Sequence, residues 1–138
     1  MTKFREIAAI IYYDDKHNVY LQERGSSSTI GEKYAFWGGG LEPGETPIIA
    51  LQREIMEELG HQQKDTDYFK FFIFDFPEHD IQLKIHIFLA PLDFDPILVK
   101  VTEGNGFYSA NIEDVLKNPD MLEDQIKVLQ EFKNYKNW

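Results

Sequence analysis

The 138-residue chain contains no cysteine, which excludes disulfides, zinc–thiolate centres and thiol nucleophiles. It also lacks an apolar run approaching the roughly 18 residues that span a bilayer. Lys3, Arg5 and Glu6 put charge where a signal peptide would need its apolar core. A soluble, cytoplasmic, unexported protein with no membrane contact is therefore expected. Positive charge is scarce: 14 Lys and Arg face 24 Asp and Glu, for a net charge of -10. Such a chain repels nucleic-acid duplexes and anionic membranes, so polymeric nucleic acid is not an expected partner. A small phosphorylated ligand is a different case, because divalent cations can lie between protein carboxylates and phosphates. Internal repeats and low-complexity tracts are missing too, and the one soft segment is the loop from Gly25 to Gly31.

Apolar residues are plentiful, at 43% hydrophobic with 11 Phe, 7 Tyr and 2 Trp. That is enough to close a core, and the length suits a single domain over 1–138. Glu6 to Tyr13 and Val19 to Arg24 read as strands of a hairpin around the turn residues Asp14 to Asn18. Tyr34 to Trp37 is a short aromatic strand running into Gly38, Gly39 and Gly40. Thr46 as cap, Pro47 in the first turn and Gly60 as stop predict a helix from Pro47 to Leu59. Strands are expected over Tyr68 to Phe76 and Ile81 to Ala90, the first apolar on both faces and hence covered on both sides. A short strand at Phe107 and Tyr108, a short helix at Ile112 to Leu116, and a longer helix after Asn118-Pro119 complete the chain. That last helix places Leu122, Ile126 and Leu129 on one stripe. The expected fold class is α/β or α+β layered, with strands sandwiched by helices.

Chemistry concentrates between Gly39 and Gly60, where five acids occur: Glu42, Glu45, Glu54, Glu57 and Glu58. At about 100° per residue, Glu54, Glu57 and Glu58 share one arc of the helix, beside an apolar arc of Ile48, Ile55 and Leu59. Like charges at these spacings cost an isolated helix about 0.2–0.5 kcal/mol per pair. A charge run alone reads equally well as a solvated face. The flanking glycines shift that balance, since Gly38 to Gly40 lets backbone approach a ligand and Pro43-Gly44 turns the chain into the helix. Oxygen-only anionic ligands on a rigid element suit Mg²⁺ or Mn²⁺.

The segment resembles the signature of the Nudix hydrolases, G-x5-E-x7-R-E-U-x-E-E-x-G-U with U a bulky apolar residue. Gly39, Glu45, Arg53, Glu54, Ile55, Glu57, Glu58 and Gly60 fill the named positions, and only His61 departs by standing where an apolar residue is usual. The resemblance implies an α/β/α sandwich with a mixed central sheet, of MutT-like type. It also implies hydrolysis of a nucleoside diphosphate linked to another moiety, through attack of water on phosphorus with Mg²⁺ or Mn²⁺ bridging the diphosphate. By that likeness Glu57 and Glu58 ligate metal, and the Gly38 carbonyl adds an oxygen. Glu54 ligates metal or activates water. Arg53 is tied to box carboxylates such as Glu45, while Gly39, Glu45 and Gly60 shape the box. Glu103, in a later loop, is the candidate for a further metal ligand or the base itself, so the catalytic set is Glu54, Arg53 and Glu103.

Substrate-binding candidates are Arg24, Lys33 and Phe36, with Phe72, Phe74, Phe107 and His86 as further groups that a cleft would recruit. The leading functional reading is a Mg²⁺-dependent pyrophosphohydrolase of nucleoside triphosphates, including oxidised or noncanonical ones. Hydrolysis of nucleotide sugars or dinucleoside polyphosphates is the alternative. A nucleotide-sensing domain without turnover is a reading of another class. The expected partner is a small nucleotide, with the protein a monomer or homodimer.

Overall fold

The structure, a computed structural model, describes residues 2–25, 31–99 and 106–138. Its elements are strands β1 (Lys3–Tyr13), β2 (Asn18–Glu23), β3 (Tyr34–Ala35) and β4 (Trp37–Gly40), helix α1 (Pro47–Leu59), strands β5 (Asp67–Phe76), β6 (Ile81–Pro91) and β7 (Gly106–Asn111), and helices α2 (Ile112–Leu116) and α3 (Glu123–Lys136). Among the described residues the strands form one seven-stranded sheet in the order β3-β2-β1-β6-β5, with β4 added to β1 and β7 to β2. The β1–β6 pairing is parallel and runs from Lys3↔Ile81 to Tyr13↔Pro91, while the other pairings are antiparallel. This is the mixed sheet expected.

Alternation along β1 divides the interior in two. On one face Ile11, Leu21, Ile85 and Ile87 pack with Val115 of α2 and with Val128, Leu129 and Phe132 of α3. On the other, Ile10, Tyr12, Trp37 and Phe88 pack with Leu51, Ile55 and Leu59 of α1. Each fully buried aliphatic of this size contributes about 1.5–3 kcal/mol, which exceeds the helix's like-charge repulsion of about 0.2–0.5 kcal/mol per pair. The apolar arc of α1 thus pins its acidic arc in place. The helix ends are as expected: the Ile49 amide donates to Thr46 Oγ1 at 3.4 Å, and Gly60 takes a left-handed φ of 64°.

One expectation fails. Strand β5 is not covered on both sides: Phe72 and Phe74 turn toward α3, but Phe71 and Ile73 remain 40% and 53% exposed. It is the outer strand of the sheet, and the main contacts of α1 are with β1 and β4. Helix α3 begins at Glu123, after Asn118-Pro119 as expected, and Gln125 Oε1 accepts the Leu122 amide at 3.0 Å and so caps the helix from within. Its buried residues are Gln125, Val128, Leu129 and Phe132. Ile126 lies at the margin of the core.

Candidate active site

Strand β4 brings the glycines against β1 in the register Ala9↔Gly38, Ala8↔Gly39 and Ile7↔Gly40. At Gly38, whose φ is 138°, an added β-carbon would lie 2.1 Å from the Ala8 carbonyl oxygen. No side chain fits there. At Gly39 an added β-carbon would lie 2.4 Å from Glu54 Cδ, so the missing side chain is what lets the Glu54 carboxylate lie against the strand. The Gly38 amide donates to Glu58 Oε1 at 3.1 Å. Glu58 is only 3% exposed, and a carboxylate that deep requires such a donor. Glu57 differs, its side chain being 59% exposed. The three acids expected on one arc therefore divide, with Glu54 and Glu58 turned to the glycine strand and Glu57 to the outside.

Arg53 ties the cluster together. Nε donates to Glu45 Oε2 at 2.7 Å and Nη2 to Glu45 Oε1 at 2.9 Å. Nη1 donates to Glu54 Oε1 at 2.9 Å and lies 3.4 Å from Glu57 Oε2, while Nη2 also reaches the Gly40 carbonyl at 2.9 Å. This bidentate, charge-assisted grip holds the Glu45 carboxyl down at about 2, with the Glu42 amide at 2.7 Å adding to it. The guanidinium is in turn pushed above its ordinary value by Glu45. Arg53 thus orients the acids. His61, the one departure from the signature, fills its place by laying its ring 4.4 Å from that of Phe94, with Nε2 3.2 Å from Asp93 Oδ1.

A cavity of about 150 Å³ opens beside the glycine strand, and Gly38, Gly39, Phe36, Arg24, Gln125 and Asp124 are among its lining residues. Arg24 and Phe36 are thus at the site, with Arg24 Nη1 donating to Gln22 Oε1 at 3.2 Å and Nε 3.6 Å from Glu32 Oε1. Lys33 is not among the lining residues and pairs with Asp120 at 3.3 Å. Phe72 belongs to the core under α3, with Phe74 stacked on it at 5.7 Å, and Phe107 packs on Trp37 at 4.7 Å. His86 lies on the opposite face of the sheet, between Glu6 at 2.6 Å and the Tyr68 hydroxyl at 2.9 Å. Glu103 lies outside the described residues. Arg5, Asp124 and Gln125 line the cavity without having been candidates. Burial pushes the Asp124 carboxyl above its ordinary value, and Gln125 is held by donating to the Tyr34 carbonyl at 2.6 Å.

Glu54, Glu57 and Glu58 are oxygen donors on a docked helix, a set whose chemistry fits a hard divalent cation. Among the described residues no three acidic or histidine side chains close around one point, since Arg53 and the Gly38 amide hold the oxygens. No helix among the described residues is long and apolar enough to cross a membrane.

Comparison with known proteins matches residues 3–132 to the family model described as NUDIX domain. An 8-oxo-dGTP diphosphatase of Proteus vulgaris is 36% identical over 81 residues, covering 59% of this chain and 72% of that protein. An RNA pyrophosphohydrolase of Helicobacter pylori strain G27 is 36% identical over 83 residues, covering 56% of this chain and 52% of that protein. This alignment therefore spans about half the length of the Helicobacter protein. Among solved structures, a MutT protein from Methanosarcina mazei Go1 matches with a TM-score of 0.79 at 18% identity, over 99% of this chain and 96% of that one. At that identity the likeness concerns the fold.

Proposed function

The chain belongs to the Nudix family, and from that premise we propose that it is a divalent-metal-dependent pyrophosphohydrolase of nucleoside triphosphates, oxidised or noncanonical ones included. The observation that carries the reading is the placement of Glu54 and Glu58 against Gly39 and Gly38, the same glycines that line the cavity. Glu54, Glu57, Glu58 and the Gly38 carbonyl are the groups that would hold Mg²⁺ or Mn²⁺. When bound, the cation neutralises diphosphate charge and lowers the pKa of a water. Glu54 accepts the proton of the attacking water, and Arg53 keeps Glu54 oriented through its 2.9 Å hydrogen bond. Phe36 and Arg24 receive the nucleoside end, and the carboxyl of Asp124, another lining residue of the cavity, accepts N–H groups of a base. The relatives named 8-oxo-dGTP diphosphatase support a triphosphate as substrate.

A panel of nucleoside triphosphates, nucleotide sugars and dinucleoside polyphosphates, assayed with Mg²⁺ and scored for the bond broken, tests this. A nucleoside monophosphate and pyrophosphate from a triphosphate are expected. Preference for a nucleotide sugar or dinucleoside polyphosphate would replace the substrate assignment. Binding without cleavage of any of them would make the domain a nucleotide sensor.

A further inference from the structure

Arg5 sits on β1 two residues before Ile7, the partner of Gly40. Its side chain leaves the strand on the face of Ile7 and Ala9 and joins them in lining the cavity. Its Nη2 lies 3.8 Å from where a β-carbon on Gly40 would stand. Gly40 is thus flanked by two guanidinium groups in opposite electrostatic states. Arg53, at the Gly40 carbonyl, is closed by Glu45, Glu54 and Glu57. Arg5 has no carboxylate partner among the described residues. Its neighbour Glu6 turns to the other face to meet His86, and Glu32 lies 3.6 Å from Arg24.

Gly40 itself points the same way. Unlike Gly38 and Gly39, it would meet nothing closer than 3.8 Å with a β-carbon, and its φ is not positive. Packing does not demand a glycine there. What the missing side chain does is leave the guanidinium open from the strand. From Phe36, just before β4, the order along the chain is then the nucleoside end, Gly38 and Gly39 with the acids behind them, and Gly40 with Arg5 beyond. An anion that extends past the diphosphate meets a free, planar, five-donor cation, the group best suited to a phosphate.

We propose that Arg5 binds the terminal phosphate of a triphosphate chain, and so makes this site select substrates whose second moiety is itself a phosphate. The assignment rests on the hydrolase reading for its biological use, but not for its test. Calorimetric binding of inorganic tripolyphosphate and of inorganic pyrophosphate, both with Mg²⁺, is compared for the wild type, Arg5→Gln and Arg5→Lys. Loss of one charge-assisted contact should weaken tripolyphosphate binding by about tenfold to a hundredfold in Arg5→Gln. Pyrophosphate binding should change far less, and Arg5→Lys should recover part of the difference. With a nucleoside triphosphate the loss should lie in KM rather than kcat. Equal losses for both probes, or no loss for tripolyphosphate, would overturn the assignment even in an active hydrolase. A selective loss would uphold it even in a protein that cleaves nothing.

Discussion

Arg53 grips Glu45 with two parallel hydrogen bonds, Nε to Oε2 at 2.7 Å and Nη2 to Oε1 at 2.9 Å, eight residues away in sequence. The pair fastens the turn before α1 to the helix and leaves Nη1 free to orient Glu54 and Glu57.

That pairing predicts a pH dependence of stability. The folded-state pKa of Glu45 is lowered from 4.5 to about 2, first by Arg53, so the unfolded chain takes up the proton more readily. The stabilisation is fully present above 4.5 and is lost as pH falls from there toward about 2. The difference in urea midpoint between wild type and Glu45→Gln should therefore be constant near neutrality and shrink across that acid range. A difference independent of pH would show that the pair does not stabilise the fold through charge.

The glycines predict opposite outcomes two residues apart. Gly38→Ala places a β-carbon 2.1 Å from the Ala8 oxygen, so β1 and β4 must separate. A loss of about 3 kcal/mol or more is expected in urea unfolding. Gly40→Ala meets only ordinary contacts and should stay within about 1 kcal/mol of wild type.

Glu57 and Glu58 should separate by stability but not by activity. Glu57→Gln changes an exposed side chain, whereas Glu58→Gln alters a buried acceptor of the Gly38 amide, so the melting temperature should fall more for the second. Both should lose activity heavily and require more Mg²⁺ for half-maximal rate. Unchanged Mg²⁺ titrations in both would return these acids to a solvated helix face.

Much of this arrangement was readable before folding, because it is local. The bounds of α1 follow from Thr46, Pro47 and Gly60, each acting on its own turn, and the box spacing is a property of one continuous segment. What could not be read is set by distant pairing. The parallel register Arg5↔Leu83 joins residues 78 positions apart and brings Arg5 into the cavity; no motif marks it. Asp124 and Gln125 reach the cavity only because α3 starts where Gln125 caps it. Strand β5 misled because Phe and Ile occupy both of its faces, and exposure there follows from its place at the edge of the sheet, which local periodicity does not encode.

In the proposed mechanism Glu54, held against Gly39 by Arg53, takes the proton from the attacking water. The measurement is the kcat of Glu54→Gln on a cleaved nucleoside triphosphate at saturating Mg²⁺, beside that of wild type. A loss of about a hundredfold or more is predicted, with KM little changed and no rescue by added metal. Wild-type turnover by Glu54→Gln, with Glu103→Gln inactive at every Mg²⁺ concentration, would contradict it and move the base to the later loop.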